Sequence, residues 1–399
     1  MPAACWTKRA MPAPVSDLQA LIEPQERLDR LISVSFRRFG RSLVDLSYAN
    51  PYDPPSERVL GALGAAVGES RERAFQYTPY GGNPVTRRVV AASLTGDYGL
   101  PFTYRDVVMT PGAMAALNIA FRALFGHEDE VIVLTPCWQD YPLYLGNLEI
   151  PYRFVPLAED KHLDLDAIEA NLSRRTRGLL FSHPACPTGV VYSQQEIEAL
   201  SGLLSEAERA FSTAIYLVCD EVHRRMVWNR VPFHSPLLSW PRALTVYSFG
   251  KTLSLQGQRI GYVAVSPRMA EREQVRTLLE RCTRVMGFCT PTSVMQHAIC
   301  RLVDHEPPLD ALAERQQSVR AELKRYGYEV CEADATFFVY LKSPIADAYR
   351  FAEILASFGV LVIPSPLFHE RGHLRLSLTA RYETIMSGLS AFARALEVA

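Results

Sequence analysis

The chain has 399 residues, enough for a large core and more than one layer of structure. Its 42 basic and 43 acidic residues leave a net charge of -1, without the electrostatic footprint of a nucleic-acid or anionic-membrane binder. No apolar run reaches bilayer length, the N-terminus lacks the apolar core of a secretory signal, and the eight cysteines follow no CxxC framework. These features predict a cytoplasmic protein with reduced thiols.

Along the chain, residues 1–20 are rich in Ala and Pro and read as a mobile arm. Residues 1–58 as a whole read as a segment that packs on a smaller C-terminal domain. From residue 59 to about 285, strands and helices alternate. "DVVMT" is a short strand, followed by Pro-Gly and the helical pattern "AMAALNIAFRALFG". "EVIVLTP", "YRFVPL" and "RGLLFSHP" are further strands, with the helical "LDAIEANLSRR" between the last two. "QQEIEALSGLLSEAERAF" is a long amphipathic helix leading to the apolar "AIYLVCDE", and "ALTVYSFG" and "RIGYVAV" close the series. "GHEDE", with His127 and three acids, reads as a solvated turn and not as a metal site. Such alternation predicts an α/β fold with a mostly parallel sheet covered by helices on both faces. Residues 286–399 read as a smaller α+β domain: strand "TFFVYLK", helix "AYRFAEILASFG", strands "VLVIP" and "HLRLSL", and a final helix.

The chemically pointed residues follow the ends of strands, where open parallel sheets gather their functional groups. Lys251 comes just after an apolar strand, flanked by Gly250 and Thr252. A lysine kept from water loses its charge more easily, which suits Schiff-base chemistry. Asp220 ends "IYLVCD", and a carboxylate there needs a cationic partner such as a pyridinium nitrogen. "TPGAMAAL" opens a helix with small residues whose free N–H groups suit a phosphate, and Arg259 and Ser248 add a forked cation and a hydroxyl. Trp138, in "PCWQDYP", suits stacking on a heteroaromatic ring.

Taken together, these segments resemble the fold type I pyridoxal-phosphate enzymes, in the class I/II aminotransferase branch. The Ser-x-x-Lys and Gly-x-Arg-x-Gly pattern stands here as Ser248, Lys251, Gly257, Arg259 and Gly261. The phosphate turn matches Gly112 to Leu117, and Pro-x-Trp-x-x-Tyr-Pro matches Pro136 to Pro142. Tyr-x-Pro-x-x-Gly-x-Pro matches Tyr77, Pro79, Gly82 and Pro84. The match runs over roughly residues 45 to 395, in order.

The resemblance implies a seven-stranded, mostly parallel sheet carrying pyridoxal 5′-phosphate on the large domain, and a homodimer with shared active sites. Lys251 would be the Schiff-base lysine and Asp220 the partner of the ring nitrogen. Gly112, Ala113, Met114, Ser248 and Arg259 would hold the phosphate, joined by Tyr77 from the neighbouring subunit. Trp138 would stack on the ring, Arg375 in "GHLRLSL" would grip the substrate's α-carboxylate, and Asn50 in "ANPYDPP" would lie on the substrate side.

The chain also departs from the pattern. The family's Asn-Pro-x-Asn-Pro-Thr-Gly is "HPACPTG", with His183 and Cys186 in place of the asparagines, and its Asp-Glu-x-Tyr is "DEVH", giving His223. Both usual partners of the cofactor's ring oxygen are therefore replaced. A thiol is a weak donor, and an imidazole is a stronger one that also moves protons near neutral pH. The resemblance implies an enzyme acting on an α-amino acid through a Schiff base and a carbanion at Cα, with transamination the leading expectation. The Asp-Glu-x-His variant also resembles the carbon–sulfur lyases of this fold. A β- or γ-eliminating, replacing, cyclising or carbon-bond-forming enzyme is therefore the alternative, with a binding module that has lost turnover as a third reading.

Overall fold

The computed structural model describes residues 13–68 and 74–399. Its centre is a seven-stranded sheet in the order β2-β8-β7-β6-β5-β3-β4. The strands are β2 (Val107–Thr110), β3 (Glu130–Thr135), β4 (Tyr152–Pro156), β5 (Thr176–Ser182), β6 (Tyr216–Asp220), β7 (Ala243–Ser248) and β8 (Gly261–Val265). Neighbours from β4 through β7 pair in parallel, while β8 runs against both β7 and β2. β2, β7 and β8 are buried along their whole length, which explains why they read as unbroken apolar runs and not as alternating ones.

The long helix Gln194–Phe211 begins at a capping box, in which Ser193 and Glu196 satisfy each other's backbone N–H groups. It lays Ile197, Leu200 and Leu204 into the core on one face of the sheet. The helix Ala113–Leu124 covers the other face with Leu117, Ile119 and Phe121. The helix Ser293–Ile299 also belongs to the first of these cores, through Met295, Ala298 and Ile299. The segment after residue 285 thus returns to the large sheet before the chain builds its second core.

That second core surrounds a three-stranded antiparallel sheet, β11-β12-β9, with β9 at Phe338–Lys342, β11 at Ile363–Pro364 and β12 at His373–Ser377. The helices Leu309–Arg325, Ala348–Ser357 and Tyr382–Glu397 pack around it. The stretch "VLVIP", expected as one strand, is divided. β10 (Val360–Leu361) pairs in parallel with β1 (Val44–Asp45), whereas β11 pairs with β12. Val362 lies between them, so five residues serve two different sheets.

The N-terminal arm was expected to run to residue 20, but a helix spans Ala13–Phe39. The remainder of the expected arm, residues 1–12, lies outside the described residues. The helix tolerates Pro24 in its interior, and the Pro24 carbonyl accepts a hydrogen bond from Tyr349 Oη at 2.9 Å. Leu28 is fully buried among Tyr340, Ile363 and Phe368, which holds the helix on the C-terminal sheet. Among the described residues no helix is long and apolar enough to cross a membrane, and the cysteines stand unbridged.

Candidate active site

The carboxyl ends of β2, β3, β5, β6 and β7 open into one cavity of about 400 Å³. Lys251 reaches it from the one-turn helix Phe249–Thr252 that follows β7, and Asp220 from the last position of β6. Ala113 and Met114 enter on the first turn of the helix after β2. Trp138 enters from the turn after β3, and Cys186 from the turn after β5. Val222 and His223 follow Asp220, while Ser248 and Arg259 stand at the sheet end near Lys251. Arg375 and Phe338 come across from the C-terminal sheet, and Asn50 from the loop after β1. The sequence-predicted residues are thus brought together with few exceptions.

The exceptions are Tyr77 and His183. Tyr77 is fully exposed and does not line the cavity. His183 is completely buried elsewhere, stacked between Tyr192 at 5.2 Å and Phe233 at 4.6 Å, and burial pushes its imidazole down to about 3.

Burial sets the electrostatics. Desolvation lowers the Lys251 amine to about 8, and its Nζ stands 5.4 Å from the centre of the Phe337 ring. Desolvation likewise raises the Asp220 carboxyl to about 6, opposed by the Tyr141 hydroxyl, which donates to Oδ2 at 2.9 Å, and by the Val222 N–H at 3.2 Å. The Cys186 thiol is pushed up to about 11 by burial, with Arg375 and Lys251 pulling it back. His223 lies edge-on to Phe337 and Phe338, and neither ring nitrogen has a partner within the protein. Burial, then Lys251 and Arg375, holds it well below the usual imidazole range, so it is neutral near pH 7.

Arg375 is the most exacting residue of the group. It is 2% exposed, with its guanidinium carbon 4.3 Å from the Phe338 centroid and 4.9 Å from that of Phe368. Nη2 donates to the Ser47 carbonyl at 2.8 Å, but Nε and Nη1 have no partner within the protein. A buried cation with two idle donors is costly unless an anion arrives. Desolvation accordingly brings it down to about 10.

Two glycines shape the opposite wall. Gly112 has φ +88°, and a Cβ there would come within 2.6 Å of Arg259 Nη2. A Cβ on Gly261 would meet the Tyr247 carbonyl at 2.3 Å. Side chains are thereby kept out of the space between the N-terminus of the helix Ala113–Leu124 and the Arg259 guanidinium. The first-turn N–H groups of that helix have no intrahelical acceptor, and Gly112 supplies no side-chain cap. The donor set fits pyridoxal 5′-phosphate, with N–H groups and a guanidinium for a phosphate, a buried carboxylate for a ring nitrogen, an indole for a ring face and an amine for an aldehyde.

Sequence reasoning missed several lining residues. Tyr141 lies inside the Pro136–Pro142 motif and is completely buried, and its fixed distance from Trp138 was a usable signal. Gln139 lies in the same motif, whereas Tyr48, Gln256 and Phe338 carry no such signal. Gln25, on the N-terminal helix, donates to Tyr48 Oη at 2.5 Å and accepts from Gln139 Nε2 at 2.7 Å, bridging two cavity-lining residues from outside.

Residues 41–389 match the family model described as aminotransferase class I and II. The chain is 30% identical to a probable aspartate/prephenate aminotransferase of Thermus aquaticus, over 92% of this chain and 94% of that protein. It is 29% identical to an aspartate/prephenate aminotransferase of Thermus thermophilus, over 91% and 94%. Among solved structures it is similar to an aminotransferase from Eubacterium rectale, with a TM-score of 0.89 and 27% identity over 93% of this chain and 95% of that one. A double mutant of the Thermus thermophilus aspartate aminotransferase gives a TM-score of 0.86 at 27% identity, over 97% and 100%. On the match, the fold and the assembled cavity, this chain belongs to the class I and II aminotransferases, enzymes whose cofactor is pyridoxal 5′-phosphate.

Proposed function

We infer that this protein transfers the amino group of an α-amino acid to a keto acid, with Lys251, Asp220, Arg259 and Arg375 as its working residues. The observation that carries the reading is their meeting in one cavity with the Nε and Nη1 donors of Arg375 left unpaired. Bound there, the cofactor supplies an electron sink for negative charge at the substrate's Cα. Arg259, Ser248 and the N–H groups of Ala113 and Met114 would hold its phosphate beside Gly112, and Trp138 would offer its indole face to the ring. Asp220, kept in place by Tyr141, holds the proton at the ring nitrogen. Lys251 is the amine that would hold the cofactor by its aldehyde, and its neutral form would be the base for the proton at the substrate's Cα. A burial-lowered amine suits that step, because it is available as a base near neutral pH.

Arg375 seats the α-carboxylate through a bidentate pair, and Asn50 stands on the same side. Cys186 and His223 would face the ring oxygen, with the neutral imidazole of His223 as the stronger partner and the thiol of Cys186 filling space. The protein works as a homodimer in which the exposed Tyr77 reaches the phosphate of the partner's site.

The test is spectroscopic. Purified protein loaded with pyridoxal phosphate is expected to show a visible absorption band that Lys251→Ala removes. Adding a substrate amino acid bleaches the band and yields one keto acid per site without ammonia. Ammonia release in place of that exchange would favour the lyase alternative, which the unusual Cys186 and His223 keep in view. A protein that takes up no cofactor after loading would overturn the reading.

A further inference from the structure

Asp220 and Lys251 stand at the ends of neighbouring strands, but their positions are fixed in different ways. Asp220 belongs to the ladder itself, paired with Val246 of β7. Lys251 lies three residues beyond the end of β7, on the turn Phe249–Thr252, where no ladder holds it. A single helical turn is too short to be stable alone, so its surroundings must fix its place. The Phe249 N–H donates to the Ile260 carbonyl at 3.1 Å, and the Leu253 N–H to the Phe249 carbonyl at 3.0 Å. These bonds shape the turn and root it, but its tilt against the sheet needs a side-chain hold.

Thr252 supplies that hold. Its hydroxyl shares a hydrogen bond of 2.6 Å with the Tyr247 hydroxyl, which stands on β7 itself. Tyr247 is 1% and Thr252 5% exposed, so water does not compete for the bond. The Tyr247 ring is fixed from several directions. Tyr262, its cross-strand partner on β8, lies 5.4 Å away, Phe249 meets it edge-on at 5.1 Å, and Arg224 stands over it at 4.8 Å. Arg224 is anchored in turn by Tyr98 and Asp97. The phenol thus offers its hydroxyl from a rigid base to the residue next to Lys251. The turn also packs closely on the loop that follows it, where a Cβ on Gly250 would lie 3.2 Å from Gln256 Cα.

We propose that the Tyr247–Thr252 hydroxyl pair is a clamp that sets the reach of Lys251 relative to Asp220, which makes both of them positioning residues for the reaction. The clamp deepens, and rests on, the reading of Lys251 as the amine that holds the cofactor. Misplacing a reacting group by about 1 Å can slow a reaction about 100-fold, so one buried hydroxyl pair has room to matter.

The test compares cofactor-loaded wild type with Thr252→Val, Thr252→Ser, Tyr247→Phe and the double variant Tyr247→Phe/Thr252→Val. The substrate is whichever common amino acid bleaches the visible band of the wild type fastest. Thr252→Val and Tyr247→Phe are each expected to lower the limiting rate of bleaching about tenfold, with the half-saturating concentration unchanged. The double variant should be no slower than either single one, because both changes remove the same bond. Thr252→Ser keeps the hydroxyl and should stay within about twofold of wild type. The circular dichroism of the band reports how firmly the cofactor is held. It should fall in Thr252→Val and Tyr247→Phe and persist in Thr252→Ser. Wild-type dichroism and limiting rate in the folded Thr252→Val and Tyr247→Phe proteins would overturn the clamp, whatever their melting temperatures. So would Thr252→Ser as slow as Thr252→Val. Should Tyr247→Phe fail to fold, the two Thr252 variants decide the matter by themselves. A wild type without the band, or a band that survives Lys251→Ala, would instead break the reading of Lys251, and the clamp with it.

Discussion

Asp220 and Glu221 are consecutive carboxylates at the end of one strand, and they face opposite ways. Asp220 looks into the cavity, where one hydroxyl and one backbone N–H are its hydrogen-bond donors within the protein. Glu221 looks into the core behind the sheet and is saturated. The hydroxyls of Tyr98 and Ser235 each donate to it at 2.5 Å, and Arg224 lies 3.8 Å away. Arg224 in turn donates to Tyr98 Oη at 2.6 Å and stands over the Tyr247 ring at 4.8 Å. Burial raises both carboxyls, but the second has partners that offset the cost. The difference separates a group that waits for a ligand from one that completes a scaffold, although chain position and residue type hardly distinguish them.

The largest effect expected is on the amine that shares the cavity with Asp220. Lys251→Ala should lower the half-reaction rate by at least about 1,000-fold while the apoprotein still folds and unfolds in one cooperative transition. The contrast between the two carboxylates is then broken by a pair of conservative changes. Asp220→Asn should cost about 100-fold in turnover with little loss of stability. Glu221→Gln should do the reverse, lowering stability by about 2 kcal/mol because it weakens the buried acceptor of the Tyr98 and Ser235 hydroxyls and leaves Arg224 with Asp97 as its carboxylate partner. Urea unfolding beside single-turnover kinetics reads both. Equal effects of the two substitutions on either measure would mean that the division between the faces is not real.

A subtler consequence lies in pH. The folded-state pKa of Lys251 is depressed from 10.5 to about 8, so the folded apoprotein resists holding that charge. The cost is full below pH 8 and vanishes as pH rises through 10.5. Lys251→Met should therefore stabilise the apoprotein by about 2 kcal/mol at pH 7, with the gain shrinking between pH 8 and 10.5. Thermal melts across that range would test it, and a gain independent of pH would point to packing alone. The smallest effect belongs to Gln25. Gln25→Ala removes the bridge between Tyr48 and Gln139 and should raise KM about threefold to tenfold with kcat nearly unchanged.

The half of the site built on the large sheet was readable from sequence because most of its residues follow a strand at a short, fixed distance. Lys251, Trp138 and Gly112 have that property, Asp220 ends its own strand and Arg259 stands just ahead of β8, and the doubly buried strands announce themselves as apolar runs. The other half depends on pairings between distant segments. Ser47 meets Arg375 across 328 residues of chain, through strands too short to carry a pattern, and β1 and β10 are each two residues long. The division of "VLVIP" was invisible for the same reason: nothing in five apolar residues says that two sheets will share them. The helix Ala13–Phe39 was hidden by its prolines and by an early stretch of Ala and Pro that reads as loop. The opposed roles of Asp220 and Glu221 follow from the alternation of a strand, but which of the two faces the cavity becomes legible only with the family pattern in hand.

The shared use of residues 360–364 has a mechanical meaning. β10 binds the N-terminal segment, and β11 binds the strand that carries Arg375. The Ser377 N–H donates to the Leu46 carbonyl and the Tyr52 N–H to the Thr379 carbonyl, which adds two more rivets between the same parts. The seat of Arg375 and the loop bearing Asn50 are thus welded into a single plate, although they are separated by most of the sequence. Any tilt of the C-terminal sheet toward the large one carries the whole plate with it. The gap to Lys251 then changes, while the shape offered to a carboxylate stays the same.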